Sequence, residues 1–530
     1  MQRLTRSLLS LSFLGAFPFA AAAATPADQC TALAAKFIGN AKVTKAEVVT
    51  SGTFQEGGTA LTGLPPFCHV RGTAKASPRS NIGFAVWLPL TNWNGRIQMV
   101  GNGGYGGQMN YGQLATLLKA GSVAAATDAG HVGPSTDFSF GKDNDEAVAD
   151  WGYRSVHETI VPTKAMVTTF YGKPADKTYF LGCSTGGHQG LVEAVKYPDD
   201  FDGILAGAPA NNRTNLNLSF LWRFVVVHPQ GDNTRTIMTP DDLKKANTAA
   251  MAQCDAQDGV RDGVIVNPPA CKFDVKKMVC TGPQSSNCLS EEHAEVMNKI
   301  YEPLKRKDTG EEIYVGWPVG SEWVDGSGGW HNYWHDAENP QQPMRAGYFR
   351  DWAYNDPSWD WWKFDFAKDV DFVRKRMGDI GAHMLETDLS AFKKRGGKII
   401  LYHGWADHIV SGLDTVKYFE KVQKDNTGAG GFTRLFMVPG MGHCSGGPGA
   451  TNFTFDMTSD MTSDADSDAV LALQRWVEEG QAPERIVSTR YRDGTRESGV
   501  ALTRPLCAWP KVASYSGNGA TDDAANFVCK

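Results

Sequence analysis

Apolar runs of strand length recur through the first 210 residues, and turn residues bound each of them. Five runs are predicted to be strands: 82–89, 96–100, 122–127, 179–181 and 203–206. Between them, residues 150–171 and 190–197 carry apolar positions at helical spacing. Alternating strands and helices predict a parallel sheet that is covered by helices.

The alternation stops at about residue 211 and resumes near residue 396. Strands are predicted again at 397–403 and 435–438, and a helix at 469–480. Residues 211–395 are therefore interpreted as an inserted lid domain, and residues 25–210 and 396–530 as the two parts of an α/β domain. The insertion holds eight of the fifteen tryptophans within residues 317–362. They are expected either to fill its own core or to line a lid over an active site.

The N-terminus predicts export. Arg3 and Arg6 precede an apolar run at 8–20, and small residues at 21–24 offer a cleavage site, so residues 1–24 are interpreted as a signal peptide of a secreted or periplasmic protein. No later stretch is apolar for 18 residues, and no membrane span is expected. A net charge of −6 without a basic block argues against a nucleic-acid partner.

Ten cysteines in an exported chain predict disulfides. Closeness in sequence favours Cys254 with Cys271, Cys280 with Cys288, and Cys507 with Cys529. Four remain without an assigned partner: Cys30, Cys68, Cys183 and Cys444. The chain has no C-x-x-C pair, which argues against a zinc ribbon or a redox dithiol.

A nucleophile is predicted at the end of the strand that stops at Gly182. The sequence Gly182-Cys183-Ser184-Thr185-Gly186 fits the G-x-S-x-G elbow, in which a sharp strand-to-helix turn exposes a serine hydroxyl. A serine needs a histidine base, and the base needs a carboxylate that orients it. In the chain order of this motif, those partners follow on loops after later strands.

The two strands after the insertion end in loops that carry such partners. Asp407 follows the strand at 397–403, and His443 follows the strand at 435–438. They are the predicted orienting acid and base, with Asp414 and His403 as the nearest competitors. A capping aspartate and a packed loop histidine are the structural alternatives.

The oxyanion of such a reaction requires two N–H donors. The amide of Thr185 is the first, and the glycine-rich loop at 101–107 is expected to supply the second. Residues 101–106 also fit the nucleotide-binding pattern G-x-G-x-x-G, which is disfavoured because no helix pattern or ribose-binding acid follows.

Cys183 and Cys444 flank the predicted nucleophile and base. If the triad forms, their side chains lie near each other and a bridge between them is sterically plausible. The alternative is that Cys183 is itself the nucleophile, which is disfavoured because an exported thiol beside another cysteine should oxidise.

An acidic turn lies inside the insertion. Asp255, Asp258 and Asp262 are spaced by three and four residues with glycines between them. Oxygen ligands at this density suit Ca²⁺. A solvated acidic turn is the alternative.

Three motifs together resemble the tannase and feruloyl esterase family of secreted α/β-hydrolases: Gly182-Cys183-Ser184-Thr185-Gly186-Gly187, His403-Gly404-x-x-Asp407 and Gly442-His443-Cys444-Ser445-Gly446-Gly447-Pro448-Gly449. The resemblance implies an α/β-hydrolase fold with a large inserted lid, and a triad of Ser184, Asp407 and His443. It implies oxyanion donors from Gly104 and Thr185.

The resemblance also implies covalent and metal links. Cys183 is expected to bond to Cys444, and Cys30 to Cys68. The resemblance also supports the three local pairs named above. A structural Ca²⁺ in the lid is expected to bind Asp255, Asp258, Asp262 and the carbonyls of Val260 and Val264.

The expected substrate is a small aromatic ester. The terephthalate-ester branch of the family has a glutamate after the nucleophile and a lid arginine for a free carboxylate. This chain has Thr185 at the first position, and Arg345 is a shifted candidate for the second. Esters of phenolic acids such as ferulate or gallate are therefore favoured over terephthalate monoesters. An inactive module that binds polyphenols or glycans is the hypothesis from another class.

Overall fold

The computed structural model describes residues 24–56, 58, 60–282, 287–454 and 464–530. Of the predicted signal peptide only Ala24 is among them, so the prediction for residues 1–23 lies outside the described residues.

One ten-stranded sheet organises the molecule. Its strands are β1 (Phe37–Ile38), β2 (Ala41–Val49), β3 (Phe67–Ala74), β4 (Ile82–Pro89), β5 (Arg96–Val100), β6 (Val123–Thr127), β7 (Lys177–Cys183), β8 (Gly203–Gly207), β9 (Lys398–Gly404) and β10 (Thr433–Val438). Their spatial order is β1-β2-β3-β4-β6-β5-β7-β8-β9-β10. In this spatial order, the first four strands are antiparallel to their neighbours. The remaining six, β6, β5, β7, β8, β9 and β10, run parallel to one another.

Twelve α-helices accompany the sheet in the described residues: α1 (Pro26–Thr31), α2 (Tyr111–Lys119), α3 (Asp145–Ala149), α4 (Ser155–Tyr171), α5 (Thr185–Lys196), α6 (Arg213–Val227), α7 (Pro240–Cys254), α8 (Glu291–Tyr301), α9 (Asp369–Asp379), α10 (Ser390–Lys394), α11 (Gly412–Asp425) and α12 (Ala469–Glu479). The bounds of helix α12 follow from the capping residues in its sequence. The side chain of Asp468 caps the amides of Val470 and Leu471, and Gly480 ends the helix with φ +75°.

Four short two-stranded sheets complete the regular structure. They pair Thr53–Phe54 with Leu61–Thr62, Leu304–Lys305 with Glu312–Tyr314, Arg485–Tyr491 with Val500–Cys507, and Ala513–Tyr515 with Phe527–Cys529.

The parallel strands are buried on both faces, which explains why their sequences are continuous apolar runs. Every residue of β8 is buried, and so are six of the seven in β9. All seven predicted strands exist within a few residues of their predicted bounds. This sheet with its helices is the α/β-hydrolase fold that the motifs predict.

Two parts of the fold differ from the prediction. The long helix predicted at 150–171 begins earlier, because α3 and a π-helical turn at Asp150–Arg154 lead into α4. Strands β1, β2 and β3 were not predicted, and in β2 buried and exposed positions alternate only at its start.

Residues 211–395 contribute helices α6 to α10 but no described strand of the large sheet. Trp317, Trp330, Trp334 and Trp352 are buried there in two apolar clusters. The cluster of Trp352 also includes Tyr105, Phe138 and Trp151, so it joins the inserted residues to the rest of the fold.

All ten cysteines form disulfides, and the pairs are the five that the resemblance implies. They are Cys30–Cys68, Cys183–Cys444, Cys254–Cys271, Cys280–Cys288 and Cys507–Cys529. Within the described residues, no helix has both the length and the apolar character needed to cross a bilayer.

Candidate active site

Ser184 lies on a strained turn between β7 and α5. Its backbone has φ +59° and ψ −118°, a conformation that residues with a Cβ rarely adopt. The turn is possible because Gly182 passes close to the first turn of α5. A Cβ on Gly182 would lie 2.5 Å from the carbonyl carbon of Gly186. The Ser184 amide donates to the carbonyl of Gly207 at 2.9 Å, which fixes the turn to the neighbouring strand.

Asp407 is the carboxylate that contacts His443. The Nδ1 atom of His443 lies 2.6 Å from Oδ2 of Asp407. The same oxygen lies 3.1 Å from Nε2 of His403, and Oδ1 accepts from the amides of Ile409 and Val410 at 2.8 and 3.0 Å. Burial would raise the pKa of Asp407, but His443 and the hydrogen bonds from both histidines hold it well below the usual range. Asp407 is therefore a buried, charged acceptor.

The two competitors occupy other positions. His403 is fully buried behind Asp407, where its Nδ1 lies 2.8 Å from the Thr415 hydroxyl. Asp414 accepts from the Asn212 amide at 3.1 Å, and burial raises its pKa to about 6. No hydrogen bond or ion pair joins Asp414 to His443 in the described residues. The geometry therefore favours Asp407 and His443 over both competitors.

The side chain of Thr185 links the elbow to the glycine-rich loop. Its hydroxyl donates to the carbonyl of Gly104 at 2.6 Å and accepts from Nη2 of Arg213 at 3.0 Å. The loop and elbow are also in close contact, since a Cβ on Gly101 would lie 2.5 Å from the Cα atom of Gly186. The predicted oxyanion donors, Gly104 and Thr185, are thus held together by a bond that the sequence did not reveal.

The loop that fits G-x-G-x-x-G packs against the elbow through Gly101 and Gly186. The expectation that no helix follows it is wrong, because α2 begins at Tyr111. The helix starts five residues beyond Gly106, and Asn110 rather than a loop glycine caps it. The glycines therefore do not form the helix N-terminus that binds a pyrophosphate in a dinucleotide fold.

The Cys183–Cys444 bridge joins the residue before Ser184 to the residue after His443. Cys183 is consequently not a free thiol, and the alternative of a cysteine nucleophile is wrong. Cys444 has φ +66°, so the histidine loop is strained beside the bridge just as the elbow is.

Ser184 and His443 line one cavity of about 1420 Å³ between the sheet and the insertion. This volume exceeds the ~300–1,000 Å³ of most small-molecule pockets. Aromatic lining comes from Phe54, Tyr105, Tyr111, Phe220, Tyr333 and Tyr402. No tryptophan is among its described lining residues; Trp317, Trp330, Trp334 and Trp352 are buried in apolar clusters instead.

Two buried arginines line the same cavity. Arg213 is 4% exposed and Arg345 is 8% exposed, and each guanidinium lies over the ring of Tyr105 at 5.4 and 5.1 Å. Arg345 also donates to the carbonyl of Ser135. Neither arginine forms an ion pair with a described carboxylate. Sequence reasoning missed Arg213, because α6 also carries Arg223 and several other polar residues and nothing local distinguishes one arginine from the other.

The acidic turn of the insertion places two of its three aspartates in one small cavity. Asp258, Asp262 and Val264 line a space of about 20 Å³. One oxygen of Asp262 accepts from Arg504 at 2.6 Å, whereas its Oδ1 is buried without a partner. Burial raises the pKa of Asp258, and the charge of Asp262 adds to the effect. An unpartnered buried oxygen and a buried carboxylate beside it are groups that a bound cation would satisfy.

The third aspartate of that turn points elsewhere. The carboxylate of Asp255 accepts from the amides of Asp262 and Gly263 at 3.1 and 3.2 Å, and the Val260 amide donates to Asp258 at 3.0 Å. The three carboxylates do not converge within 4.8 Å of one another in the described residues. The residues present thus fit a cation at Asp258 and Asp262 better than a shell built on all three.

Comparisons with known proteins show the family of the chain. The sequence model of "Tannase and feruloyl esterase" matches residues 68–530. The chain belongs to the tannase and feruloyl esterase family. A mono(2-hydroxyethyl) terephthalate hydrolase of Piscinibacter sakaiensis is 33% identical over 88% of this chain and 85% of its own length. A probable feruloyl esterase B-2 of Aspergillus flavus is 34% identical over 83% of each chain.

A solved structure supports the same conclusion. An esterase from Aspergillus oryzae superposes with a TM-score of 0.86 at 30% identity, and the match covers 96% of this chain and 100% of that one. This esterase of the family is therefore a carboxylic ester hydrolase, and its fold class is confirmed.

Proposed function

We propose that this esterase hydrolyses esters of phenolic acids through an acyl-enzyme, with Ser184 as nucleophile, His443 as base and Asp407 as the orienting acid. The observation that carries this proposal is the 2.6 Å contact between Asp407 and His443 beside the cavity that also contains the strained Ser184. All three residues follow parallel strands whose carboxyl ends lie at one edge of the sheet.

The reaction follows from the roles of these groups. His443 takes the hydroxyl proton of Ser184, whose oxygen attacks the ester carbonyl. The carbonyl oxygen becomes an anion, and the amides of Thr185 and Gly104 are proposed to stabilise it. Collapse releases the alcohol, which receives the proton from His443. Water then attacks the acyl-enzyme with His443 again as base, and the aromatic acid leaves.

The Thr185 hydroxyl is proposed to hold the two oxyanion donors in register. Thr185→Val keeps the amide and the shape of the side chain but removes the bonds to Gly104 and Arg213. We expect kcat to fall by about 10–100-fold with little change in KM, since a misplaced donor weakens transition-state binding. Thr185→Ser retains the hydroxyl and should stay within about threefold of wild type. Equal activity of both variants would contradict this role.

The cavity favours an aromatic acyl group, and its arginines raise a second candidate. Phe220, Tyr333 and Tyr105 supply aromatic surface for a phenolic ring. Arg345 is buried at this cavity without a described counter-ion, and this observation favours a substrate that carries its own carboxylate. The second candidate is therefore hydrolysis of monoesters of aromatic dicarboxylic acids, such as mono(2-hydroxyethyl) terephthalate.

A matched panel of methyl esters separates the two candidates. Methyl ferulate and methyl gallate are neutral, whereas monomethyl terephthalate carries a carboxylate. If phenolic esters are the substrates, kcat/KM is highest for the first two. Arg345→Gln should then change their hydrolysis little, but should lower kcat/KM for the terephthalate ester by about tenfold or more.

Arg350→Gln is the control for this panel, because Arg350 pairs with Asp351 and is not among the described lining residues. An equal loss on all three esters would show that Arg345 supports the fold of the cavity instead of binding a carboxylate. Failure of the wild type on every ester would overturn the proposed substrate class.

We also propose that the chain is exported by the N-terminal signal at residues 1–24 to the periplasm or the medium. Five disulfides support an oxidising compartment, since such bridges are rare in the reducing cytosol.

A structural Ca²⁺ in the insertion is proposed at Asp258 and Asp262, with Asp255 and the carbonyls of Val260 and Val264 as the further ligands. The orphaned Oδ1 of Asp262 supports it. When bound, the ion would balance the buried carboxylate of Asp258 and the oxygen of Asp262 that Arg504 does not contact.

Removal of this ion is expected to destabilise the protein. EGTA should lower Tm by several degrees, because a ligand that binds only the folded state stabilises it, and added Ca²⁺ should restore the original value. Differential scanning calorimetry measures the shift. Asp262→Asn should abolish the response to EGTA, whereas the exposed Asp241→Asn on α7 should keep it. An unchanged Tm for the wild type would contradict the site.

A further inference from the structure

A second cluster of metal-ligating side chains lies at the C-terminal end of α5, the helix that follows Ser184. His157 is on α4, Glu193 is in the last turn of α5, and Asp200 follows α5. One ligand atom of each lies within 4.8 Å of the others. Glu193 is nine residues after Ser184, or about 13 Å along the helix, so the cluster is separate from the active site.

The cluster contains a buried carboxylate that forms no ion pair in the described residues. Glu193 is 1% exposed, and its Oε2 atom is buried without a hydrogen-bond partner. It faces a second buried carboxylate, that of Asp200. Two buried carboxylates whose ligand atoms lie within 4.8 Å of each other need a proton or a cation between them.

The third member is a well-oriented imidazole. Nδ1 of His157 lies 2.6 Å from Oδ2 of Asp200. The ring stacks on Tyr197 with centroids 3.9 Å apart, which fixes the direction of Nδ1. The side chain of His157 is 30% exposed, so an ion and its water have a route from solvent.

We propose that His157, Glu193 and Asp200 bind a divalent transition-metal ion of the Zn²⁺ class. Two carboxylates and one imidazole with a position left for water are a ligand set that such ions take in proteins. Bonds of 2.0–2.2 Å in a tetrahedral shell place the ligand atoms about 3.3 Å apart. The distances between the ligand atoms of the three residues range from 2.6 Å to at most 4.8 Å, which spans this separation. Small side-chain rotations would therefore bring the three atoms to tetrahedral positions.

Two further features favour a cation here. The cluster is at the C-terminal end of α5, where the partial negative charge of the helix attracts cations. The ion would also balance the two carboxylates, since the nearby ammonium of Lys164 forms no described ion pair with either and instead donates to the main-chain carbonyl of Asp199 at 3.1 Å. A bound ion would connect α4 to α5 and so support the helix that follows Ser184.

Calorimetric titration of Zn²⁺ tests the site. Wild-type protein is stripped with EDTA and returned to excess Ca²⁺, so that hard-cation sites are filled. We expect uptake of one equivalent of Zn²⁺ with a rise in Tm, and visible absorption of a four-coordinate ion when Co²⁺ replaces Zn²⁺.

Glu193→Gln and His157→Gln should each lose this equivalent, or weaken its binding by 100-fold or more. Gln in place of Glu193 mimics the protonated acid and is expected to fold. Asp199→Asn is the matched control, because Asp199 is an exposed acid next to Asp200 and is not in the cluster. It should bind Zn²⁺ as the wild type does.

The proposal is overturned if the stripped wild type takes up no Zn²⁺, in which case Glu193 holds a proton instead. It is equally overturned if Glu193→Gln binds Zn²⁺ with wild-type affinity. Neither outcome bears on the esterase mechanism, which uses none of these residues.

Discussion

Replacement of Ser184 by alanine is expected to lower kcat/KM on methyl ferulate and methyl gallate by a factor on the order of 10⁴–10⁶. In the proposed mechanism this hydroxyl forms the acyl bond, and water in its place lacks the positioning that the elbow gives. The strained backbone of residue 184 accepts alanine as it accepts serine, because both side chains begin with a Cβ. The loss should therefore appear in turnover without a change in Tm.

A second serine of the same cavity provides the control. Ser445 lines the cavity next to Cys444 and is exposed, so Ser445→Ala should retain wild-type rates. A fluorophosphonate probe should label the wild type and Ser445→Ala once, at Ser184, and should leave Ser184→Ala unlabelled. If Ser184→Ala keeps wild-type activity, the triad is wrong. A wild type that neither hydrolyses esters nor reacts with the probe would favour the hypothesis of an inactive binding module.

Asp407→Asn is expected to lower kcat by about 10⁴-fold. The carboxylate accepts from His443 and His403 and fixes the tautomer of the base. An amide at this position can present its NH₂ group to Nδ1 of His443, which favours the wrong tautomer. KM should change little, because Asp407 is fully buried and does not face the substrate. Steady-state kinetics on methyl gallate measures both parameters.

Asp414→Asn is the matched control for that variant. Asp414 is also buried near the end of β9, but it contacts Asn212, and burial raises its pKa to about 6. Its amide variant should keep kcat within about fivefold of wild type. The reverse result, with a large loss in Asp414→Asn and none in Asp407→Asn, would assign the orienting acid to Asp414.

The sheet could be predicted, and the triad proposed, because both follow from local patterns. Buried parallel strands are continuous apolar runs, and Gly182 and Gly404 mark where the strands give way to the loops that follow. The chain order of serine, acid and histidine then identifies Asp407 and His443. Strand β2 was missed because most of its residues are partly or fully exposed, and no regular alternation marks it.

The surroundings of the triad could not be predicted in the same way. Arg213 and Arg345 line the cavity from separate parts of the insertion. No local sequence pattern predicts that residues so far apart in the chain meet at one site. The tryptophans illustrate the same limit. Their density in the sequence fits a lid or a core equally well, and only packing shows that Trp330, Trp334 and Trp352 belong to the core. The hydroxyl of Thr185 likewise gained its role from Gly104, 81 residues earlier in the chain.

The bridge between Cys183 and Cys444 has a consequence for proteolysis. It spans 261 positions and closes a covalent ring that contains the entire insertion, Asp407 and His443. A protease that cuts one peptide bond inside this ring opens it but does not divide the molecule, because the bridge still joins the two fragments next to Ser184 and His443. Nicked protein would therefore run as one species without reductant and as two with it. Cleavage of the insertion alone therefore leaves the segments of Ser184 and His443 covalently joined. They lose this link only when the Cys183–Cys444 bond is also reduced.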